Sequence, residues 1–241
     1  MPIKFRTSWV PFIAVLVVMA IGISAGNWQM RRAHEKEAIE RRMNERATAP
    51  ALSLTADALS PQEVEYRKII VRGEFLPQWT VYLNNRPLNG IAGFYVVMPM
   101  RIANSDMHIL VLRGWAPRDP VDIGRLPVFT TPDGLVEIEG IARQRAGQLL
   151  QLGEMPPLQA GAIVQNVDVE AYAQASGLKF QPIVMEQTSD TGDVLLRDWP
   201  EPSAGIDKHL GYAFQWYGLA ATALIFYLVT GFRRASKRAS K

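Results

Sequence analysis

Residues 9 to 26 read WVPFIAVLVVMAIGISAG, 18 residues in succession without a charged side chain. A second uncharged run, residues 210 to 232, reads LGYAFQWYGLAATALIFYLVTGF. A helix of about 17–25 predominantly apolar residues crosses the hydrocarbon core of a bilayer. We therefore predict two transmembrane helices, the first over residues 9–26 and the second over residues 209–232.

The first apolar run has an alternative interpretation. A cleavable signal peptide would have a similar run, and Ser24-Ala25-Gly26 has the small residues of a cleavage site. Arg31 and Arg32 follow the run, where they can anchor a retained helix at the membrane interface. We therefore favour a span that stays in the protein.

The charge of the chain is unevenly distributed. Residues 1–46 carry a net charge of +4 and residues 209–241 one of +5, whereas residues 47–208 carry −6. Basic segments beside membrane helices favour the cytoplasm. We expect residues 1–8 and the basic tail 233–241 to be cytoplasmic, with the main domain in the periplasm of a cell inner membrane, or in the equivalent compartment of a mitochondrial inner membrane. An acidic central domain argues against binding to nucleic acid.

Residues 27–46 are predicted to continue the first helix, and residues 47–208 to form an extracytoplasmic α+β domain. The fold class is a mainly antiparallel β-sheet with one or two helices, flanked by the two transmembrane helices. One helix is predicted over Asp168–Ser176, with Asp168 as its N-cap and Gly177 as its end. Strands are indicated by runs of β-branched and aromatic residues that end in turn residues: Tyr66–Phe75, Thr80–Asn84, Gly93–Ile102, His108–Trp115, Leu135–Ala142, Phe180–Glu186 and the shorter Ile163–Val167.

Small residues in both apolar runs predict that the two helices pair. Gly22 and Gly26 are four residues apart, which is a spacing that lets helix backbones approach closely in lipid. Gly211, Gly218 and Thr222 form a similar ridge on the second run, so we expect this ridge to be its contact face.

No catalytic residue is predicted. The chain has no cysteine, which excludes disulfides, thiolate metal sites and covalent haem attachment through CxxCH. Ser105, Asp106 and His108 are close in sequence, but they lie where a hairpin turn is expected. Met98 and Met100 are a conceivable copper thioether pair, although core packing is the simpler interpretation. We expect a protein that is not an enzyme.

His209 stands at the start of the second span. Tyr212, Ala213, Trp216 and Ala220 follow it on one face of a helix. An imidazole at this position can ligate iron, and an aromatic stripe can pack against a flat macrocycle. The alternative is that these side chains only anchor the helix among the lipid headgroups.

Several segments together resemble the surfeit locus protein 1 family (Surf-one, called Shy-one in yeast), whose members are assembly factors for cytochrome c oxidase. Each motif is weak by itself, but their order between two apolar runs is specific. The matching residues are Gly26-x-Trp28-Gln29-x-x-Arg32, Glu65-Tyr66-Arg67, Val71-Arg72-Gly73-x-Phe75, Gly93-x-Tyr95-Val96-Val97-x-Pro99, Ile109-Leu110-Val111-x-Arg113-Gly114-Trp115-x-Pro117-Arg118 and His209-Leu210-x-Tyr212-x-x-Gln215-Trp216-Tyr217-Gly218.

Two positions depart from the family pattern: Leu112 replaces the usual Asn and Met98 the usual Thr. Both could change what the soluble domain binds. For Arg72 and Arg113 we expect only that they snorkel across the sheet.

The resemblance implies a haem a-binding assembly factor that helps to insert haem a into the catalytic subunit of a haem–copper oxidase. In bacterial members the histidine that opens the second span is the proposed haem a ligand, and His209 occupies that position. The implied partners are the membrane, the oxidase subunit and haem a synthase, and the cofactor is a transiently held haem a. Because Trp28 leaves the first span at the leaflet where His209 enters the second, we expect Trp28 to be a second wall of the haem groove, with Gln29 or an exogenous group near the iron. His34 is the only other histidine near this leaflet, and we do not favour it as a second axial ligand.

Two other functions remain open. The first alternative is a cofactor-free membrane chaperone that holds the nascent oxidase subunit, with His209 merely interfacial. A membrane-anchored enzyme would need an acid–base or nucleophilic site in residues 47–208, built there from Asp and Glu because histidine is scarce.

Overall fold

A computed structural model describes residues 9–150, 157–200 and 205–239. The predicted cytoplasmic segment 1–8 and the last two residues of the basic tail lie outside the described residues. The chain divides into two compact units. The helical unit takes in the described residues up to Arg42 and those after Pro200, and the β unit is Met43–Pro200.

The described residues form two long α-helices and two short ones: α1 Trp9–Thr48, α2 Pro61–Val64, α3 Val169–Ser176 and α4 Ile206–Ala239. The strands are β1 Leu52–Ser53, β2 Lys68–Phe75, β3 Val81–Leu83, β4 Gly93–Ile102, β5 Met107–Pro117, β6 Val136–Arg143, β7 Ile163–Val164 and β8 Lys179–Gln187. The predicted class, a mainly β domain with few helices between two apolar helices, is confirmed. The predicted N-cap and end of α3 are also confirmed, since Asp168 accepts the Glu170 N–H and Gly177 has a φ of 70°.

The eight strands form one sheet in the order β1-β2-β6-β8-β5-β4-β3-β7. Most pairs are antiparallel, and the parallel ones are β1–β2, β3–β7 and β5–β8. Strand β2 pairs with β4 as well as with β6. The strands β2, β6, β8, β5 and β4 therefore close into a five-stranded barrel, which the sequence did not predict.

The inner face of this barrel is apolar in its middle and polar at its ends. Alternate residues of the five strands supply the apolar part, which includes Ile69, Val71, Met98, Met100, Ile109, Val111, Ile138, Ile183 and Met185, all fully buried. Met98 and Met100 are thus core residues, as expected. Gln181 and Gln187 are also fully buried, and at one end Gln181 hydrogen-bonds the backbone of Thr55, Asp57 and Leu59.

A charged network occupies another part of the same interior, around Arg113. A β-bulge places Arg113 and Gly114 together opposite Val96. The Arg113 guanidinium donates to Asp193 at 2.6 Å and to Gln187 at 3.0 Å, and both side chains of the ion pair are fully buried. The expectation that Arg113 only snorkels across the sheet is therefore wrong, since its guanidinium is held inside the barrel.

Hydrogen bonds keep this buried pair ionised. Burial by itself would raise the pKa of Asp193, but hydrogen bonds from Thr191 and Arg197 outweigh burial and hold the pKa below its ordinary value. Burial lowers the pKa of Arg113, and the neighbouring Asp193 carboxylate opposes that shift. Loss of one partner of a buried ion pair costs about 3–5 kcal/mol in proteins. The network around Arg113 therefore has a structural role: each partner is needed to keep the other's charge compensated.

In the helical unit, α1 and α4 pack antiparallel along small residues. A Cβ on Gly22 would lie 2.9 Å from the Trp216 carbonyl oxygen, and one on Gly26 would lie 2.5 Å from the Tyr217 ring. The predicted pairing through Gly22 and Gly26 is confirmed. The predicted ridge of Gly211 and Gly218 is wrong, because a Cβ on either would meet nothing within 4 Å.

The contact face of α4 contains alanines instead. Ala213 and Ala220 are buried, and Ala220 Cβ lies at 3.0 Å from the position of a Cβ on Gly22. Alanine permits nearly the same backbone approach as glycine and keeps a higher helix propensity. Both helices are long and apolar enough to cross a membrane, and only 17% and 11% of their apolar windows are buried inside the protein. This exposed apolar surface is typical of helices that face lipid.

We predict that Gly73→Ala destabilises the β unit by about 1–3 kcal/mol, the usual cost of overpacking. Gly73 pairs with both Ile102 and Val136 where the barrel closes, and a Cβ there would collide with the Arg101 carbonyl oxygen. Guanidinium denaturation of the detergent-solubilised protein, followed by tryptophan fluorescence, measures the change. Gly124→Ala is the control, since the nearest atom to a Cβ added there would be 3.6 Å away. Equal stability of the two variants would contradict the prediction.

We predict that Gly26→Leu separates α1 from α4, because the leucine would displace the Tyr217 ring. The chain has no cysteine, so spin labels can be placed uniquely at Ile13→Cys and Ile225→Cys, which are exposed positions on the two helices. The distance distribution in lipid should become longer and broader in the Gly26→Leu background. Gly218→Leu should leave it unchanged, and a similar response to both substitutions would refute the interface.

Candidate functional site

His209 lies in the first turn of α4, which begins at Ile206. Its side chain is half-buried, and its Nδ1 lies 2.7 Å from the Oε1 of Gln29 on α1. An amide oxygen only accepts hydrogen bonds, so with this oxygen turned to the ring it is Nδ1 that carries the proton and donates. The tautomer follows from this assignment of the amide. Among the described residues nothing hydrogen-bonds Nε2, which keeps its lone pair.

This arrangement is the one that a ligating histidine needs. Histidines that bind metals usually donate their second ring N–H to a carbonyl or carboxylate, which fixes the tautomer and the orientation of the ring. Gln29 supplies such an acceptor from the neighbouring helix. The sequence predicted that Gln29 lies near the iron. In the structure the Gln29 amide oxygen contacts the His209 imidazole and orients the ring.

On the face of α4 that follows His209, some residues pack against α1 and others are exposed. Ala213 and Ala220 are buried at the contact with α1, and Trp216 is half-buried. Tyr212 is 54% exposed. Of the predicted aromatic stripe, Tyr212 and Trp216 therefore retain surface that a ligand can contact, whereas the alanines do not.

Trp28 is 48% exposed on α1, one residue before Gln29. Its indole ring lies 5.9 Å from the Arg32 guanidinium carbon. No contact between Trp28 and His209 is found in the part of the chain that the structure describes. Trp28 as a second wall therefore stays a prediction, which rests on its exposed ring near the level of the imidazole along the helix pair.

A second polar contact joins the helices beside the first. The Tyr217 hydroxyl donates to Asn27 Oδ1 at 2.7 Å. Interhelical hydrogen bonds add to close packing in holding membrane helices together. Together with Gly26, these contacts hold Gln29 within reach of His209.

The remaining candidates from the sequence do not assemble into a site. His34 is exposed and lies 3.5 Å from Glu37. His108 is buried in the sheet with its Nδ1 3.0 Å from the Lys179 carbonyl oxygen, and Ser105 hydrogen-bonds the Ile102 carbonyl. Within the described ranges no cluster of three His, Asp or Glu side chains is suited to hold a metal ion.

Sequence reasoning missed the Gln29–His209 bond because the two residues are 180 positions apart. The available signal was the position of both residues at the same end of two helices predicted to pair. Leu112 and Met98, the two departures from the family pattern, are both buried in the β unit. They alter its packing and do not lie on its surface.

Comparison with known proteins agrees with these features. The model of the SURF1 family matches residues 16–221. A SURF1-like protein of Rickettsia felis is 30% identical over 226 residues, which cover 90% of this chain and 95% of the relative. A SURF1-like protein of Rickettsia bellii is 29% identical over 227 residues, with 90% and 89% coverage. Surfeit locus protein 1 of Xenopus tropicalis is 26% identical over 231 residues, with 86% and 71% coverage. The family match covers the whole β unit and reaches into both apolar helices, and the chain belongs to the SURF1 family.

Proposed function

We propose that this protein binds haem a through His209 and helps to insert it into the catalytic subunit of a haem–copper cytochrome c oxidase. Membership of the SURF1 family implies a role in oxidase assembly. The observation that carries the haem proposal is the 2.7 Å contact between His209 Nδ1 and Gln29 Oε1, which leaves the Nε2 lone pair available to ligate iron.

The residues around His209 fit a haem in their chemistry. Imidazole nitrogen is a common axial ligand of haem iron. Exposed aromatic rings at Tyr212 and Trp28 offer apolar surface for a flat macrocycle, and the half-buried Trp216 adds to it. When bound, the haem would supply the iron that takes the Nε2 lone pair. The protein's own part is to hold the imidazole in one tautomer and to keep the cofactor at the end of the helix pair.

A single, weak axial ligand also suits a protein that must release its cargo. A cofactor-delivery protein has to give up the haem, and one histidine holds it less firmly than two. His34 lies on the exposed side of α1 beside Glu37, away from the Gln29 contact. We propose haem a synthase as the donor and the oxidase catalytic subunit as the acceptor.

The location that we propose is a cell inner membrane, with two spans and the β unit in the periplasm, or a mitochondrial inner membrane in a eukaryote. The exposed apolar surfaces of α1 and α4 support the membrane. The orientation rests on the basic residues at both ends of the chain, which favour the cytoplasmic side.

A cofactor-free chaperone is the second candidate function, and the hydrogen bond between His209 and Gln29 supports it as well. The His209–Gln29 bond joins α1 to α4, so His209 has a structural use without any haem. In that case the helix pair would be the surface that holds the nascent oxidase subunit. The two functions predict different absorption spectra for the purified protein.

We expect the full-length protein, co-expressed with haem a synthesis and purified in detergent, to show a haem a spectrum at near-stoichiometric content. His209→Ala should abolish this absorption, because it removes the Nε2 ligand. His34→Ala is the matched control and should keep it, since His34 is 68% exposed and pairs with Glu37. A colourless wild type, or haem that persists in His209→Ala, would favour the cofactor-free chaperone.

We expect Gln29→Leu to weaken haem a binding by about 10–100-fold, which is the usual effect of losing a residue that orients a metal ligand. Leucine removes the acceptor for the Nδ1 proton while it keeps a similar volume. Titration of the haem-free protein with haem a gives the affinity. Gln29→Glu retains an acceptor and should bind nearly as the wild type does; equal affinity of the leucine variant would show that the contact does not serve the ligand.

A further inference from the structure

A polar cavity of about 330 Å³ lies in the β unit, at one edge of the sheet. Four strands end or begin there. Asn84 follows β3, Ala92 precedes β4, Arg118 follows β5 and Gln165 follows β7. The register explains the convergence, because Gly93 pairs with Pro117 and Leu83 pairs with both Tyr95 and Val164.

The backbone around the cavity is held by hydrogen bonds from three sides. The Asn84 N–H donates to the Val164 carbonyl at 2.8 Å, and the Arg118 N–H donates to the Ala92 carbonyl at 2.9 Å. The Trp115 indole donates to the Arg86 carbonyl at 2.6 Å. Gly93 leaves room for that indole, since any Cβ there would collide with the ring. The cavity is therefore built by the fold and does not depend on a single loop.

Arg86 contributes a buried positive charge to the cavity. It is only 6% exposed, and its Nη2 donates to the carbonyls of Gly147 at 2.8 Å and Gln165 at 3.0 Å. Its Nε is buried and has no hydrogen-bond partner among the described residues. No carboxylate in the described part of the chain forms an ion pair with Arg86. Buried cations in proteins are normally paired, so this one calls for an anion.

Arg118 brings a second guanidinium to the same cavity. Its Nε donates to the Ile123 carbonyl at 2.9 Å, and its Nη1 reaches Asn84 Oδ1 at 3.5 Å. These partners are neutral, and they orient the guanidinium without cancelling its charge. Arg118 is half-buried, so an ion in the cavity would be less screened from it than at an open surface.

The polar residues that line the cavity are all amides or arginines. Besides Arg86 and Arg118 they are Asn84, Asn85 and Gln165, and none of the described lining residues is acidic. The acid that follows Arg118 in the chain, Asp119, is already engaged. Its carboxylate accepts the N–H groups of Val121 and Asp122 and lies 3.5 Å from an Arg125 nitrogen.

We propose that this cavity binds a small oxyanion, a carboxylate or a phosphate, between the guanidinium groups of Arg86 and Arg118. Guanidinium groups match both anions because two parallel N–H donors can face two oxygens. The amides of Asn84, Asn85 and Gln165 offer further donors. The site belongs to the β unit alone and is independent of haem binding at His209.

Calorimetric titration of the full-length protein in detergent tests the proposal, with inorganic phosphate and succinate as separate probes at constant ionic strength set by chloride. The wild type should bind at least one probe saturably. Arg118→Gln should weaken binding by about tenfold or more, because a charge-assisted hydrogen bond is lost. Arg86→Gln should do the same if it folds. Arg101→Gln is the control, since Arg101 is exposed, pairs with Glu74 and lies outside the cavity.

The outcomes separate the two sources of the anion. Saturation by phosphate alone would identify a phosphate site, saturation by succinate alone a carboxylate site, and saturation by both a general oxyanion site. The proposal is overturned if the wild type binds neither probe saturably. It is also overturned if Arg118→Gln binds as tightly as the wild type, or if Arg101→Gln weakens binding as much as Arg118→Gln does.

Discussion

The antiparallel pairing of β4 with β5 is the interaction on which the β unit depends. The other edge of β5 holds β8, and the other edge of β4 holds β3 at one end and β2 at the other, so the β2–β4 contact that closes the barrel is positioned by this pair. The bulge within it sets the position of Arg113, whose charge is then compensated inside the fold by Asp193. Ala92 and Arg118, which flank the Gly93–Pro117 end of the pair, line one side of the oxyanion cavity.

Two arginines of the β unit show how the same residue type serves different purposes. Arg113 is fully buried with a carboxylate and neutral acceptors around it, so its charge is compensated inside the fold. Arg86 is buried against carbonyls and the Tyr95 ring, with no carboxylate paired to it in the described residues, so its charge remains available to an anion. The two arginines differ in their partners: Arg113 has a counter-ion in Asp193, and Arg86 has none among the described residues. Burial without a counter-ion is unfavourable for a cation.

In the helical unit, close approach of the backbones governs the chemistry of the candidate site. Gly22 and Gly26 leave no room for larger side chains against α4. Only with the backbones this near can Gln29 reach His209 and the Tyr217 hydroxyl reach Asn27. The tautomer of His209 is thus a consequence of helix packing, and a ligand at Nε2 would depend on residues that never touch it.

Local patterns in the amino-acid order were enough to predict the apolar helices, the strand β4 and the limits of α3, because hydropathy, β-branching and capping act within a few residues. Barrel closure between β2 and β4, the inward turn of Arg113 and the alanine face of α4 were not predictable in this way. Each depends on residues far apart in the chain, and the sum of many packing contacts decides which of them meet. The His209–Gln29 bond is of the same kind: the sequence supplied an imidazole and an amide, and the close packing of two helices made them partners.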